Sequence, residues 1–194
     1  SSGLPAACGL ATASTLYDWG ALWSLVDLDD WLEPHLLAQR YGGTERMFGI
    51  MPTERVGRQL RVSLFWSLRR DRYAAWRAAP LSDWKRELLA LWPAARPVVD
   101  RIHTHAQLAF ASYHHARPTR LAAGPVCIVG DAAHAMSPQL GLGTTLAVQD
   151  ALTLAACVDA AGPSAGLARY SASRLRTVRA YQALSRALTP CFHA

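Results

Sequence analysis

The apolar positions change rhythm partway along the chain. In the first half they fall in short runs and alternations. Trp19 to Val26 is apolar and aromatic, and Met47 to Met51 is a short run entered through Gly42-Gly43 and closed by Pro52. From Arg61 to Leu68 the residues alternate, with Val62, Leu64, Trp66 and Leu68 on one face and Ser63 and Ser67 on the other. Gln107 to Tyr113 is a fourth run of this kind. A two-residue period is the mark of strands with one buried face. Leu81 to Leu91 keeps a helical period instead, with Trp84, Leu88, Leu91 and Trp92 as its stripe and Ser82 or Asp83 as its expected cap.

The second half reads differently. Pro125 to Val129 is a continuous apolar run ending at Gly130, the pattern of a fully buried strand of parallel type. A turn-rich stretch leads to Gly143, and a helix is expected over Thr144 to Asp159, broken by Gly162-Pro163. A last helix is expected from about Ser164 to Leu188, with Leu167, Tyr170, Val178, Tyr181, Leu184 and Leu188 as its apolar stripe. The expected fold class is α+β: a mostly antiparallel sheet with helices, then a strand–loop–helix element and a long C-terminal helix.

Composition narrows this picture. The chain has 194 residues, 51% of them hydrophobic and 18% charged, which excludes a disordered, charge-rich segment. No run approaches 18 uninterrupted apolar residues, so no transmembrane segment is expected. Ser1 to Thr15 has neither the basic start nor the apolar core of a signal peptide. The net charge is +6, but Lys85 is the one Lys among 20 basic residues and the Arg residues are scattered, so no nucleic-acid partner is expected. Cys8, Cys127, Cys157 and Cys191 form no C-x-x-C pair, which fits free thiols in a reducing, cytoplasmic compartment. His103, His105, His114 and His115 cluster in sequence, yet only Asp100 lies near them as a further ligand, and no metal is expected.

The stretch from Val126 to Ala155 carries the chemistry. A strand that ends at Gly130-Asp131 delivers a carboxylate where ligands bind in parallel sheets, able to accept hydrogen bonds from a polyol. Gly130 allows close backbone approach, and Pro138 stiffens the loop. Gly141 and Gly143 expose backbone N–H groups where a helix begins, a place that favours negative charge.

Gly130, Asp131, Ala132, Ala133, His134, then Pro138, Gly141, Gly143 and Asp150-Ala151 resemble the second flavin-binding motif of the class A flavoprotein monooxygenases, the p-hydroxybenzoate hydroxylase-like family. The GALWSLV, MPT, LFWSLR and WKRELLALWP stretches resemble that group's substrate domain, and YSASRLRTVRAYQALSR its C-terminal helix. The resemblance implies FAD as cofactor and NAD(P)H as reductant. It also implies hydroxylation of an aromatic or similar small organic substrate through a flavin C4a-hydroperoxide. It places Gly130 and Asp131 at the ribityl chain, and Gly141, Leu142, Gly143, Thr144 and Thr145 at the pyrimidine edge of the flavin. Pro138 is implied as the catalytic-cavity residue, shielding the reacting oxygen from water. Thr145 stands where the family has Asn. His134 reads mainly as a structural residue under the loop, with contact to the cofactor region as the alternative, and Asp150, mid-helix, mainly as a structural hydrogen-bonding residue. The aromatic positions Trp19, Trp23, Phe48, Phe65 and Trp66 read mainly as core, with Phe65, between Ser63 and Ser67, as the best pocket candidate.

The family's early G-x-G-x-x-G turn and its Asp-Gly motif do not occur in these 194 residues. The expected organisation is therefore an incomplete FAD/NAD(P)-binding fold: residues 1–15 as the end of the FAD-binding domain, 16–120 as the substrate-binding sheet, 121–160 as the FAD-binding segment and 161–194 as the packing helix. A missing N-terminal half, in the same longer chain or a separate one, is the expected partner, and the chain alone is expected to be inactive. A halogenase, epoxidase or prenyl reductase is the alternative within flavoproteins. A non-enzymatic remnant that binds a ligand or partner is the alternative outside them.

Overall fold

The computed structural model describes residues 7–10 and 12–192, apart from the side chains of Gln139 and Phe192. Of the segment 1–15, residues 1–6 and 11 lie outside the described residues, as do 193 and 194 of the C-terminal segment. The chain divides into two compact units, one of residues 1–17 and 113–189 and one of residues 18–112 and 190–194. Both dividing points fall within strands, β1 (Ala13–Leu28) and β5 (Ala109–Arg117).

The 18–112 unit is built on the antiparallel strands β1, β2 (Ala38–Gly42), β3 (Arg46–Val56) and β4 (Gln59–Arg69), in the five-strand order β2-β3-β4-β1-β5. Alternation sends Leu22, Val26, Phe48, Ile50, Val62, Leu64 and Trp66 to one face, all buried. That face packs on α1 (Tyr73–Ala78), α2 (Leu81–Leu91) and α3 (Arg96–Val99), which contribute Trp76, Trp84, Leu88 and Val98. Phe48 centres the aromatic part of this core, with its ring 5.5 Å from Trp92 and 6.2 Å from Trp66, both edge-on. Such pairs add about 0.5–1.5 kcal/mol each beyond area burial.

Three local expectations change. Pro52 does not close β3: the strand continues to Val56 and absorbs the proline with a register shift between Pro52 and Glu54. Neither Ser82 nor Asp83 caps α2, because Pro80 occupies the cap position and Asp83 pairs with Arg86 at 3.1 Å. Ser63 and Ser67 are buried, and Ser63 Oγ shares a 2.6 Å hydrogen bond with Thr53 Oγ1. The short polar edge strand β2 has no apolar alternation to announce it.

In the other unit, β6 (Ala122–Ala123) and β7 (Val126–Cys127) form a small antiparallel hairpin. The run from Pro125 to Val129 is thus not a fully buried parallel strand among the described residues. Val126 and Cys127 are half-buried, and Val129 is 41% exposed. A short apolar run fits either arrangement by periodicity alone. The chain then turns at Gly130 into the single-turn helix α4 (Asp131–His134).

The last element, α5 (Gly143–Phe192), is two helical arms, 143–161 and 163–192, joined at the non-helical Gly162 (φ 72°, ψ 170°). The arms pack back to back at Gly166, where a Cβ would lie 2.6 Å from Val158 Cα. Leu10, Leu121, Ile128, Ala133 and Tyr170 form the core beneath them, and the Tyr170 hydroxyl donates to Ile128 O at 3.0 Å. The expected apolar stripe holds for Leu167, Tyr170 and Val178 but not beyond. Leu184 is 48% exposed, and the buried face passes to Gln182 and Ser185. These donate to Ala116 O and Ser137 O respectively, satisfying buried carbonyls. By length and composition alone the helix over Gly143–Cys191 could cross a membrane, with an 18-residue window of mean hydropathy 1.3. The ion-paired Asp150 within it and the break at Gly162 make it a folded-back packing element.

Candidate flavin-binding site

Asp150 organises this site. It is fully buried on the first arm of α5 and uses both carboxylate oxygens. Oδ2 accepts the Gly130 N–H at 3.0 Å and His134 Nε2 at 2.8 Å, while Oδ1 accepts Arg174 Nε at 2.8 Å. Arg174, also buried, donates further to Leu146 O at 3.3 Å and Gln149 Oε1 at 3.4 Å. The other ring nitrogen of His134, Nδ1, is buried and has no hydrogen-bond partner among the described residues. One carboxylate therefore ties the Gly130 turn, α4 and both arms of α5 into one framework.

That framework sets the backbone of the loop. Gly130 has φ 58° and ψ −140°, a region essentially closed to side chains, and its carbonyl accepts the N–H groups of Ala133 and His134, both at 2.9 Å. The next residue, Asp131, is exposed. Pro138 is exposed at the start of a single 3₁₀ turn, and its carbonyl accepts the Gly141 N–H at 2.9 Å. Ser137 beside it is anchored to Ser185, Oγ to Oγ at 2.8 Å. Gly141 is left-handed (φ 62°, ψ 18°) and aims the chain into α5.

The first intrahelical bond of α5 runs from Leu146 N to Leu142 O at 2.9 Å. The N–H groups of Gly143, Thr144 and Thr145 come before it and have no partner inside the helix. Thr144 and Thr145 are exposed, Leu142 and Gly143 half-buried. A Cβ at Gly141 or Gly143 would meet nothing within 4 Å, so neither glycine is required by the packing of this chain. An exposed carboxylate, an open glycine turn and unpaired helix-start donors on a rigid base match the donor and acceptor set that a flavin with a ribityl chain needs. The residues present fit FAD.

The structure thus brings together Gly130, Asp131, Pro138, Gly141, Leu142, Gly143, Thr144 and Thr145 as one loop-and-helix element, with His134 and Asp150 buried beneath it. Sequence reasoning missed Arg174. Its signal is a charged residue on the Leu167–Tyr170–Val178 stripe, where only a buried partner makes a guanidinium tolerable. The His103–His115 group does not converge: His105 packs edge-on to Trp76 at 4.8 Å, and His114 Nδ1 bonds Ser14 Oγ at 3.2 Å. Among the described residues no three His, Cys, Asp or Glu side chains gather as a metal site.

In the 18–112 unit, Phe48 and Trp66 are core, and Trp19 is buried. Trp23 is 41% exposed and stands in register with Phe65 on the opposite face. Phe65 covers Gly49 so closely that any Cβ there would collide with its ring. A cavity of about 840 Å³ in this unit is lined by Trp19, Trp66, Trp76 and Trp84 among others. Ser67 Oγ, Trp76 Nε1 and Trp84 Nε1 are buried at it without partners.

The family model for the FAD binding domain matches residues 6–185. Among curated proteins the chain is similar to 3-amino-4-hydroxybenzoate 2-monooxygenase of Streptomyces cremeus, 36% identical over 78 residues, 39% of this chain and 20% of that protein. It is also similar to an FAD-dependent monooxygenase of Aspergillus niger, 34% identical over 93 residues, 47% of this chain and 20% of that protein. Among solved structures, PqsL of Pseudomonas aeruginosa, a probable FAD-dependent monooxygenase, superposes with a TM-score of 0.80 at 19% identity, covering 98% of this chain and 53% of that one. A variant of HpxO of Klebsiella pneumoniae, solved with FAD, gives a TM-score of 0.74 at 22% identity over 99% of this chain and 50% of that one. The chain spans about half the length of these structures, and its matched segments span a fifth of each curated relative. With nearly its whole length matched and the motif geometry in place, this chain belongs to the FAD binding domain family.

Proposed function

We propose that the chain is the C-terminal portion of an FAD-dependent, NAD(P)H-using monooxygenase acting on an aromatic or similar small organic substrate. The observation that carries this reading is the element from Gly130 to Thr145: an exposed carboxylate and a free helix start fixed by the buried Asp150 hub. Bound reduced flavin supplies the electrons that activate oxygen for hydroxylation. Asp131 accepts hydrogen bonds from ribityl hydroxyls. The N–H groups of Gly143, Thr144 and Thr145 face the pyrimidine edge, where the helix start favours negative charge by about 0.3–1 kcal/mol, up to ~2 when partly buried. A contact made by the backbone N–H of residue 145 does not depend on whether the side chain is Thr or Asn. The exposed ring of Pro138 helps keep water from the reacting centre. On the substrate side, the exposed Trp23–Phe65 face of the sheet offers aromatic walls.

The remaining contacts to FAD come from a further nucleotide-binding portion, in the same longer chain or another. Val148 is 54% exposed and Leu152 67% exposed on the first arm of α5, an apolar face suited to being covered by it. The four free thiols fit a cytoplasmic setting. The test is a flavin-fluorescence titration of the purified chain with FAD. Weak or undetectable binding is expected; stoichiometric binding at micromolar concentration or tighter would show that no further portion is needed.

A further inference from the structure

The flavin reading leaves unused a second polar feature of the 1–17 and 113–189 unit. A pocket of about 320 Å³ is lined by His115 and Arg117 at the end of β5, by Thr119 just after it, and by Arg179, Gln182 and Arg186 on the second arm of α5. Arg179, Gln182 and Arg186 follow three- and four-residue steps, so they share one helix face. The Gln182 amide, donating to Ala116 O at 2.5 Å, holds that face against the strand. Three arginines therefore line one pocket although their positions in sequence are far apart.

No carboxylate lines the pocket. Among the described residues none of the three arginines is in an ion pair. His115 lines the pocket and is 5% exposed, with its Nδ1 buried and, among the described residues, without a partner. Burial first, then the charges of Arg186 and Arg117, push its pKa down to about 4. The edge of the Tyr17 ring, 6.2 Å away, supplies no compensating charge. Positive charge gathered around a buried imidazole is unfavourable until an anion joins it, and guanidinium forks match the geometry of oxyanions.

We propose that this pocket binds the oxyanion group of a small molecule, phosphoryl or carboxylate, held by Arg117, Arg179 and Arg186 with His115 Nδ1 as the deep donor. The pocket has room for the oxyanion and a small attached group. The proposal stands apart from the flavin assignment, since none of its residues belongs to the Gly130–Thr145 element.

Calorimetric titration of the chain with sulfate, and separately with benzoate, against chloride at matched ionic strength tests it. One equivalent of saturable binding is expected, and the tighter of the two probes identifies the group as phosphoryl-like or carboxylate. The double variant Arg179→Gln/Arg186→Gln, exposed positions whose melting temperature should not move, is expected to weaken binding at least tenfold. Sulfate stays dianionic across the range, so its affinity should rise between pH 7 and pH 5 in the unaltered chain and not in His115→Gln. Binding of an adventitious ion only, matched by chloride, would overturn the proposal. So would equal affinity in the double variant.

Discussion

Asp150 is the residue on which the local fold depends most. Replacing it by Asn keeps the shape but leaves the buried Arg174 guanidinium without its counter-charge. Breaking a buried pair from one side costs about 3–5 kcal/mol, and a urea denaturation midpoint should show a loss of that order for Asp150→Asn. Asp131 is the opposite case. It is exposed, so Asp131→Ala should leave stability within about 0.5 kcal/mol while weakening FAD binding in the joined protein. His115 gives a pH signature. Its pKa is depressed to about 4 in the fold, against an ordinary 6.5. Between these values the unfolded chain binds more protons, so stability falls as pH drops from about 6.5 toward 4. Urea midpoints at pH 7 and pH 4.5 should differ more in the unaltered chain than in His115→Gln. Asp150 was legible as structural from its mid-helix place. Arg174 was not, because pairing across 24 residues is a property of the folded arms.

At the scale of elements, the helix break at Gly162 and the strand β4 follow from local pattern, α2 begins and ends where its period says, and β3 starts with its apolar run but continues through Pro52 to Val56. The misread elements are those set by tertiary partners. The run from Pro125 to Val129 became a two-residue hairpin strand because Ala122–Ala123 is its only strand partner among the described residues. The stripe of the second α5 arm turned polar at Gln182 and Ser185 because buried carbonyls there needed donors. Gly166 offers a test of sign. Ala is favoured over Gly inside a helix by about 1 kcal/mol, but here a Cβ would meet the backbone of residues 157 and 158. Gly166→Ala should therefore lower the melting temperature, with a net loss of about 1–3 kcal/mol from overpacking. A rise in melting temperature would show that the arms are not in backbone contact.

At the scale of the whole molecule, the turn positions Gly130 and Gly141 and the helix start at Gly143 were legible, because each answers a local demand of backbone geometry, whereas the strand leading to Gly130 was not. The convergence of Arg117, Arg179 and Arg186 was invisible, since scattered arginines become a pocket only through the fold. Val148 and Leu152 are exposed on the first arm of α5, the face that a further nucleotide-binding portion would cover under the proposed function. Light scattering of the chain alone should show concentration-dependent self-association, and a clean monomer at every concentration would argue against an orphaned interface. Under the proposed function, Asp131 and the α5 start hold FAD together with a further nucleotide-binding portion. The most direct measurement is an FAD titration of this chain fused to a G-x-G-x-x-G-containing portion of its family, beside the same fusion carrying Asp131→Ala. One FAD per fused chain is expected, with at least tenfold weaker binding in the variant at unchanged melting temperature. Equal affinity in the two fusions would contradict it.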